Sequence, residues 1–99
     1  MKIQFSENNI RIRFSNVEAL ELIHNSSVLI ANEFLITQLA FGDENKVMLN
    51  DNLFLVSVLK NEFCSFLHSE NERFQFLTGE TNFSIEKDLA FFRNGFSIQ

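Results

Sequence analysis

The chain has no proline, tryptophan or tyrosine, and it contains one cysteine and three isolated glycines. Because nothing in it is rich in proline, glycine or serine, no linker is indicated, and we expect residues 1–99 to form one compact domain. No internal sequence repeat is apparent. A single cysteine excludes an internal disulfide, and residues 1–5 lack the long apolar stretch of a signal peptide. Together these features predict a cytoplasmic protein.

All thirteen aromatic residues are phenylalanine. Phenylalanine adds large apolar area without the polar tip that tyrosine and tryptophan bring to interfaces, so this set favours core packing. Eight Lys and Arg against thirteen Asp and Glu give a net charge of −5. Nucleic-acid affinity depends on cations, so we expect no direct nucleic-acid binding, and a partner protein with a basic surface instead. We expect no membrane association.

The first fifteen residues predict a β-hairpin. Apolar and polar residues alternate over residues 2–5 and again over residues 10–14, with turn-forming residues between them. Ser15 and Glu18 then form the Ser-x-x-Glu pattern of a capping box, which predicts a short helix that ends near Asn25. The expected buried face of this helix consists of Val17, Leu20 and Ile23 or His24.

The segment from residue 26 to residue 59 favours strands. β-Branched and aromatic residues are enriched in stretches that Asn, Asp and Gly separate. The predicted strands are 28–30, 34–41, 47–49 and 53–59. Because the turns between them are short, we expect consecutive strands to pair antiparallel as a meander. The last strand is apolar at nearly every position, which predicts a central strand covered on both faces.

The remaining residues combine helix and strand signals. Residues 61–69 fit either a helix or one strand face, and we favour the helix. Alternation over residues 73–76 and 83–85 around Gly79 predicts a second hairpin.

Two elements are expected at the C-terminal end. The first is a helix that opens at Ser84 or Ile85 and runs over residues 86–93, and the second is an edge strand over residues 96–98. The predicted fold class is α+β: a mainly antiparallel sheet of five to seven short strands with two or three short helices packed on it.

Residues 1–18 resemble the start of an uncharacterised family of small bacterial domains. The resemblance is carried by Met1-Lys2-Ile3 and by Asn8-Asn9-Ile10-Arg11-Ile12-Arg13-Phe14-Ser15 with Glu18, where the family reads MKI and NSIRLRLT before a Ser-Glu-Val helix start. Later family features are altered, since Asn25 stands where glycine is expected and Phe92 where tryptophan is expected. The resemblance implies an α+β fold, and it implies no activity, because none is assigned to the family.

Few residues suggest catalysis. Cys64 and His68 would share a helix face at four-residue spacing, but no third orienting group is indicated, and a lone cysteine between phenylalanines is typical of a core. Cys64, His24 and His68 lack the paired spacing of zinc ligands. The chain contains no Gly-rich phosphate loop, Gly-x-Ser-x-Gly or His-Glu-x-x-His motif. We therefore expect no enzyme activity, no metal and no cofactor.

The charges indicate two candidate contact regions. Arg11 and Arg13 share the outer face of their predicted strand and could bind a carboxylate, a phosphate or an acidic partner. Cations beside an exposed hairpin also deter edge-to-edge aggregation, which is an alternative explanation for them. The acidic residues, Glu70, Glu72 and Glu80 among them, could present an anionic surface to a basic groove.

The composition therefore predicts a small acidic protein-binding module. A typical role would be that of an inhibitor or modulator of a basic nucleic-acid-handling protein, and anti-CRISPR proteins are one class of similar size and charge. The alternative is a self-associating structural domain, a homodimer that pairs through an exposed edge strand. The predicted partner-binding residues are Arg11, Arg13, Glu70, Glu72 and Glu80.

Overall fold

The structure, a computed structural model, describes residues 1–88, which form eight strands and two helices. In chain order they are β1 (Lys2–Ser6), β2 (Asn9–Phe14), α1 (Asn16–Asn25), β3 (Ser27–Ala31), β4 (Ile36–Gly42), β5 (Lys46–Asn50), β6 (Leu53–Leu59), α2 (Lys60–Leu67), β7 (Arg73–Thr78) and β8 (Thr81–Lys87). The predicted α+β class, both hairpins and the helix after residue 59 are confirmed. The helix expected to open at Ser84 or Ile85 is wrong there, because β8 continues to Lys87. The rest of that helix and the edge strand over residues 96–98 lie outside the described residues.

The described residues form eight strands rather than the predicted five to seven, and these form two mixed sheets rather than one mainly antiparallel sheet. Sheet A has the order β1-β2-β8-β7, and sheet B has the order β3-β4-β6-β5. Each sheet consists of two antiparallel hairpins whose inner strands pair in parallel, β2 with β8 and β4 with β6. The predicted meander is therefore wrong between β4 and β5, because β6 lies between them. Pairing of the inner strands satisfies one of the two backbone edges of each hairpin. The three-residue connection between β4 and β5 can cross two strand spacings, about 10 Å.

The two sheets arise from a structural repeat of the order strand-strand-helix-strand-strand. The first half (residues 2–42) and the second half (residues 46–87) have the same element order. Lys2 pairs with Arg13 in the first hairpin, and Lys46 pairs with Ser57 in the third, 44 positions later in both strands. The second and fourth hairpins correspond with an offset of 46. The fold is thus a repeat that the residue types do not reveal.

The halves are intertwined. Sheet A takes β1 and β2 from the first half and β7 and β8 from the second, whereas sheet B takes β3 and β4 from the first and β5 and β6 from the second. Neither half contains a complete sheet of its own, so the described residues fold as one unit.

The core lies between the inner faces of the sheets and the helices. Equivalent positions are buried in both sheets, for example Ile12 in β2 and Val56 in β6. The ring of Phe54 in sheet B lies 6.2 Å from that of Phe83 in sheet A. The ring centroid of Phe63 in α2 lies 5.7 Å from the ring centroid of Phe14 in sheet A. Phenylalanine therefore fills the core, as its abundance predicts.

Helix α1 begins at the predicted capping box but buries a different face. The Ser15 side chain accepts a hydrogen bond from the Glu18 backbone, and the Glu18 carboxylate accepts one from the Ser15 backbone. The buried residues are Ala19 and Leu22, and the predicted Ile23 is partly buried against the core, whereas Val17 is 75% exposed. The predicted face was right for Ile23 and wrong for Val17, because packing against β3 and β4 sets the rotation of so short a helix.

Candidate functional site

The outer face of sheet A carries a concentration of cations. The register places Lys2, Arg13, Glu86 and Arg73 in one row across the four strands. Arg11 lies in the next row of the same face, two residues before Arg13. We call the surface formed by these five residues the cationic face. Its four cations and one carboxylate give it a formal charge of +3, in a chain whose net charge is −5.

Glu86 is the centre of the cationic face. Its carboxylate accepts two hydrogen bonds from Arg11, at 2.6 Å from Nε and 3.0 Å from Nη2. The Nε atom of Arg73 lies 3.3 Å from the same carboxylate, whose side chain is only 10% exposed. Hydrogen bonding from Arg11 lowers the pKa of Glu86, with smaller contributions from the charges of Arg11, Arg73 and Arg13, while burial acts in the opposite direction. Glu86 therefore remains ionised and holds Arg11 in place.

Lys2 and Arg13 form the accessible part of the cationic face. They are direct cross-strand partners, both are exposed, and neither has an ion pair among the residues that the structure describes. Like charges directly opposite each other on neighbouring strands destabilise a sheet. A shallow pocket of about 240 Å³ lies between them, with Arg11 and Glu86 in its lining. An anionic group bound there would receive hydrogen bonds from both cations and relieve their repulsion.

The outer face of sheet B has the opposite character. One row across its strands consists of Met48, Leu55, Gln38 and Leu29. In the structural repeat, Leu55 occupies the position in sheet B that Arg11 occupies in sheet A. Leu29 is 55% exposed and Met48 is 45% exposed. We call the apolar part of this surface, with Gln38, the apolar face; its residues are Leu29, Ala31, Ile36, Gln38, Ala40, Met48, Leu53 and Leu55. The other positions of the two flanking rows are polar: Ser27, Lys46, Asn50 and Ser57.

The predicted acidic residues do not come together. Glu70 and Glu72 lie in the loop between α2 and β7, whereas Glu80 lies in the turn after β7, beside Gly79 with its φ of +61°. These two positions are at opposite ends of a six-residue strand, roughly 17 Å apart. A partner that bound all three carboxylates would have to lie along the whole of β7.

Arg11 and Arg13 do share one face, as the alternation over residues 10–14 predicts. Sequence reasoning missed the other three members of the cationic face. Lys2 and Arg73 lie in the two predicted hairpins, but the parallel pairing of β2 with β8, which joins these hairpins in one sheet, has no local signal. Glu86 was placed at a helix start. The alternation of buried Phe83 and Ile85 was the signal that could have extended β8 to Glu86.

Cys64 and His68 lie at the C-terminal end of α2. Cys64 is a half-buried free thiol, and the backbone N–H of His68 donates to the Cys64 carbonyl at 3.3 Å. Within residues 1–88, no group of three or more His, Cys, Asp or Glu side chains is arranged to hold a metal ion. In the same part of the chain, neither helix is long and apolar enough to span a membrane.

The sequence matches no protein-family profile, and it shows no significant similarity to a curated protein or to a solved structure. The resemblance of residues 1–18 to an uncharacterised family therefore stays a prediction. The case for a function depends on the two outer sheet faces.

Proposed function

We propose that this protein is a non-enzymatic binding module, and that its cationic face contacts a partner protein through carboxylates that the partner presents. The observation that carries the proposal is the exposed pair of Lys2 and Arg13, which lie directly opposite each other beside the Arg11–Glu86 ion pair and form no ion pair of their own within residues 1–88. Such a pair costs stability in the free protein, and a carboxylate bound between the two side chains removes that cost.

The geometry favours a protein carboxylate over a nucleic acid. Nucleic acids are bound by extended tracks of cations, usually with aromatic rings on which bases stack. The outer rows of sheet A contain no aromatic residue: beyond the cationic face they consist of Gln4, Ser6, Asn9, Gln75, Leu77, Asn82 and Ser84. The chain as a whole is also acidic, which opposes a long polyanion but tolerates a local acidic patch on a protein.

A basic partner is the competing form of this proposal, and it would involve the acidic residues at 70, 72 and 80. An inhibitor of a basic nucleic-acid-handling protein would act in this way. We rank it second because these carboxylates are split between the two ends of β7, whereas the cationic face is continuous.

A short oligoglutamate peptide is a direct probe of the cationic face. We expect binding that weakens with salt, and we expect Arg13→Glu to reduce the affinity at least about tenfold, because a charge-assisted hydrogen bond contributes about 1.5–3 kcal/mol. Isothermal titration calorimetry measures both effects. Lys60→Glu is the matched control, since it makes the same charge change at the first residue of α2, outside this face. Equal loss in the two variants would contradict a site at the cationic face.

Capture of partners from the native host separates the two forms of the proposal. Bait carrying Lys2→Glu and Arg13→Glu should lose the partner that the unaltered protein retains. A second bait, in which Glu70, Glu72 and Glu80 are changed to Lys, should keep it. If only the second bait lost its partner, the acidic residues would form the contact, and the basic-partner form would replace ours.

A further inference from the structure

Because of the structural repeat, each residue of the apolar face can be compared with the residue at the equivalent position of sheet A. Sheets A and B have the same topology and register, so each outer position of one has an equivalent in the other. Met48 corresponds to Gln4, and Leu29 to Gln75. Since sheet A accommodates polar residues at these positions, the backbone does not require apolar ones in sheet B. Exposed apolar area costs about 25 cal/mol per Å², so an apolar face of this extent indicates a covered surface.

The arrangement of residues on the apolar face is complementary to itself. Gln38 lies within the middle row, between Leu55 and Leu29. Lys46 begins β5, and Asp51 follows its other end. If two copies pack face to face about a two-fold axis along the middle row, Gln38 meets its own counterpart, and Lys46 of each copy approaches Asp51 of the other.

We propose that the apolar face is the interface of a homodimer in which two copies of sheet B pack against each other about this axis. Amide groups pair at the centre, aliphatic side chains surround them, and two Lys46–Asp51 ion pairs close the ends of the interface. The cationic face lies on the other sheet, so both cationic faces stay exposed. The dimer would present two contact surfaces of the kind proposed above, although the inference does not depend on that function.

The size of the face sets the expected affinity. Four strands about 4.8 Å apart and three rows about 6.7 Å apart give a footprint of roughly 20 Å by 20 Å. At about 400 Å² per copy, this is half of the about 800 Å² per partner that is usual for specific interfaces. We therefore expect a weak dimer with a dissociation constant on the order of 100 µM, to which flanking residues contribute little.

Sedimentation velocity over a concentration series, from about one to several hundred micromolar, tests the dimer. The unaltered protein should shift from monomer to dimer, and Leu29→Arg should remain monomeric throughout the series. Gln75→Arg is the matched control, because it introduces the same side chain at the equivalent position of sheet A, and it should dimerise like the unaltered protein. Thermal unfolding monitored by circular dichroism verifies that both variants fold.

A charge swap tests the orientation of the two copies. Lys46→Glu and Asp51→Lys should each weaken the dimer, and the double variant should recover most of the affinity. Lys46 also lies 3.4 Å from Glu44, so recovery in the double variant, rather than the single loss, is the informative result. Failure to recover would overturn the proposed axis.

Two results would overturn the dimer itself. One is an unaltered protein that stays monomeric over the whole concentration series. The other is equal weakening of the dimer by Leu29→Arg and Gln75→Arg, which would place the interface elsewhere. If the unaltered protein is monomeric and Leu29→Arg lowers its thermal stability, the apolar face is covered by other residues of the same chain, and the dimer proposal is wrong.

Discussion

At the scale of single residues, Glu86 decides how the cationic face is organised. One carboxylate that is 10% exposed receives both hydrogen bonds from Arg11 and also lies beside Arg73. Without it, the row of Lys2, Arg13 and Arg73 would contain only cations. Its charge fixes one arginine and leaves Arg13 and Lys2 accessible to a ligand.

Replacement of Glu86 by Gln should destabilise the protein in a pH-dependent way. The folded-state pKa of Glu86 is lowered from about 4.5, so its stabilising effect is complete above that pH and is lost as the pH falls through the lower folded value. We expect Glu86→Gln to lower the free energy of unfolding by about 1 kcal/mol at neutral pH, because the charge-assisted hydrogen bonds from Arg11 to the carboxylate are lost. Urea denaturation at several pH values measures the difference.

The difference between Glu86→Gln and the unaltered protein should narrow as the pH falls below about 4.5. A difference that stayed constant down to pH 2 would mean that the ion pair does not contribute, and that the amide merely packs less well. Glu80→Gln, in the exposed turn after β7, is the control for loss of one carboxylate and should have little effect at any pH.

At the scale of elements, the close approach of β4 and β6 fixes the centre of sheet B. Gly42 ends β4 opposite Leu59, near Ser57 of β6. A Cβ atom at position 42 would lie 2.1 Å from the Ser57 Oγ atom and 3.4 Å from its Cβ. A side chain at position 42 therefore requires the Ser57 hydroxyl group to move, and this hydroxyl is the one close obstacle among the described residues.

We expect Gly42→Ala to destabilise the protein by about 1–3 kcal/mol, as overpacking does, and Ser57→Ala to remove most of that cost. Because the two residues are in direct contact, their effects should be non-additive. Chemical denaturation of the two single variants and the double variant measures the coupling. Additive effects would show that the loss arises from the backbone at residue 42 and not from contact with the Ser57 hydroxyl.

At the scale of the whole molecule, exchange of hairpins between the halves couples the two sheets. Each sheet joins a hairpin from the first half to a hairpin from the second, through the parallel pairs β2–β8 and β4–β6. A lone two-stranded hairpin is marginally stable in water. The halves should therefore depend on each other for folding, although each contains a full set of strand-strand-helix-strand-strand elements.

Division of the chain in the loop between β4 and β5 tests this dependence. We expect the fragments 1–44 and 45–99 to be largely unfolded when alone and to regain native-like secondary structure when mixed at equal concentration. Far-ultraviolet circular dichroism and gel filtration of the separate and mixed fragments measure the effect. A fragment that folds by itself as a monomer would contradict the intertwined arrangement.

The local elements follow from short-range patterns in the sequence. Alternation over two residues specified the hairpins at both ends of the described chain, and Ser15 with Glu18 specified the start of α1, because these signals depend on neighbours within a few positions. Alternation also placed Arg11 and Arg13 on one face. The predicted helix after residue 59 also depended on a local signal, the three- and four-residue spacing of Phe63, Phe66 and Leu67. These three residues form the buried face of α2.

The choice of which hairpins pair, and therefore the composition of both outer faces, depends on long-range contacts. Pairing of β2 with β8 joins residues more than seventy positions apart, and the hairpin patterns would fit other partners equally well. The parallel pairing of β2 with β8 brings Glu86 and Arg73 to the arginines of the first hairpin, in which Lys2 is already the partner of Arg13. Such contacts depend on burial of the shared core, which no short stretch of sequence encodes.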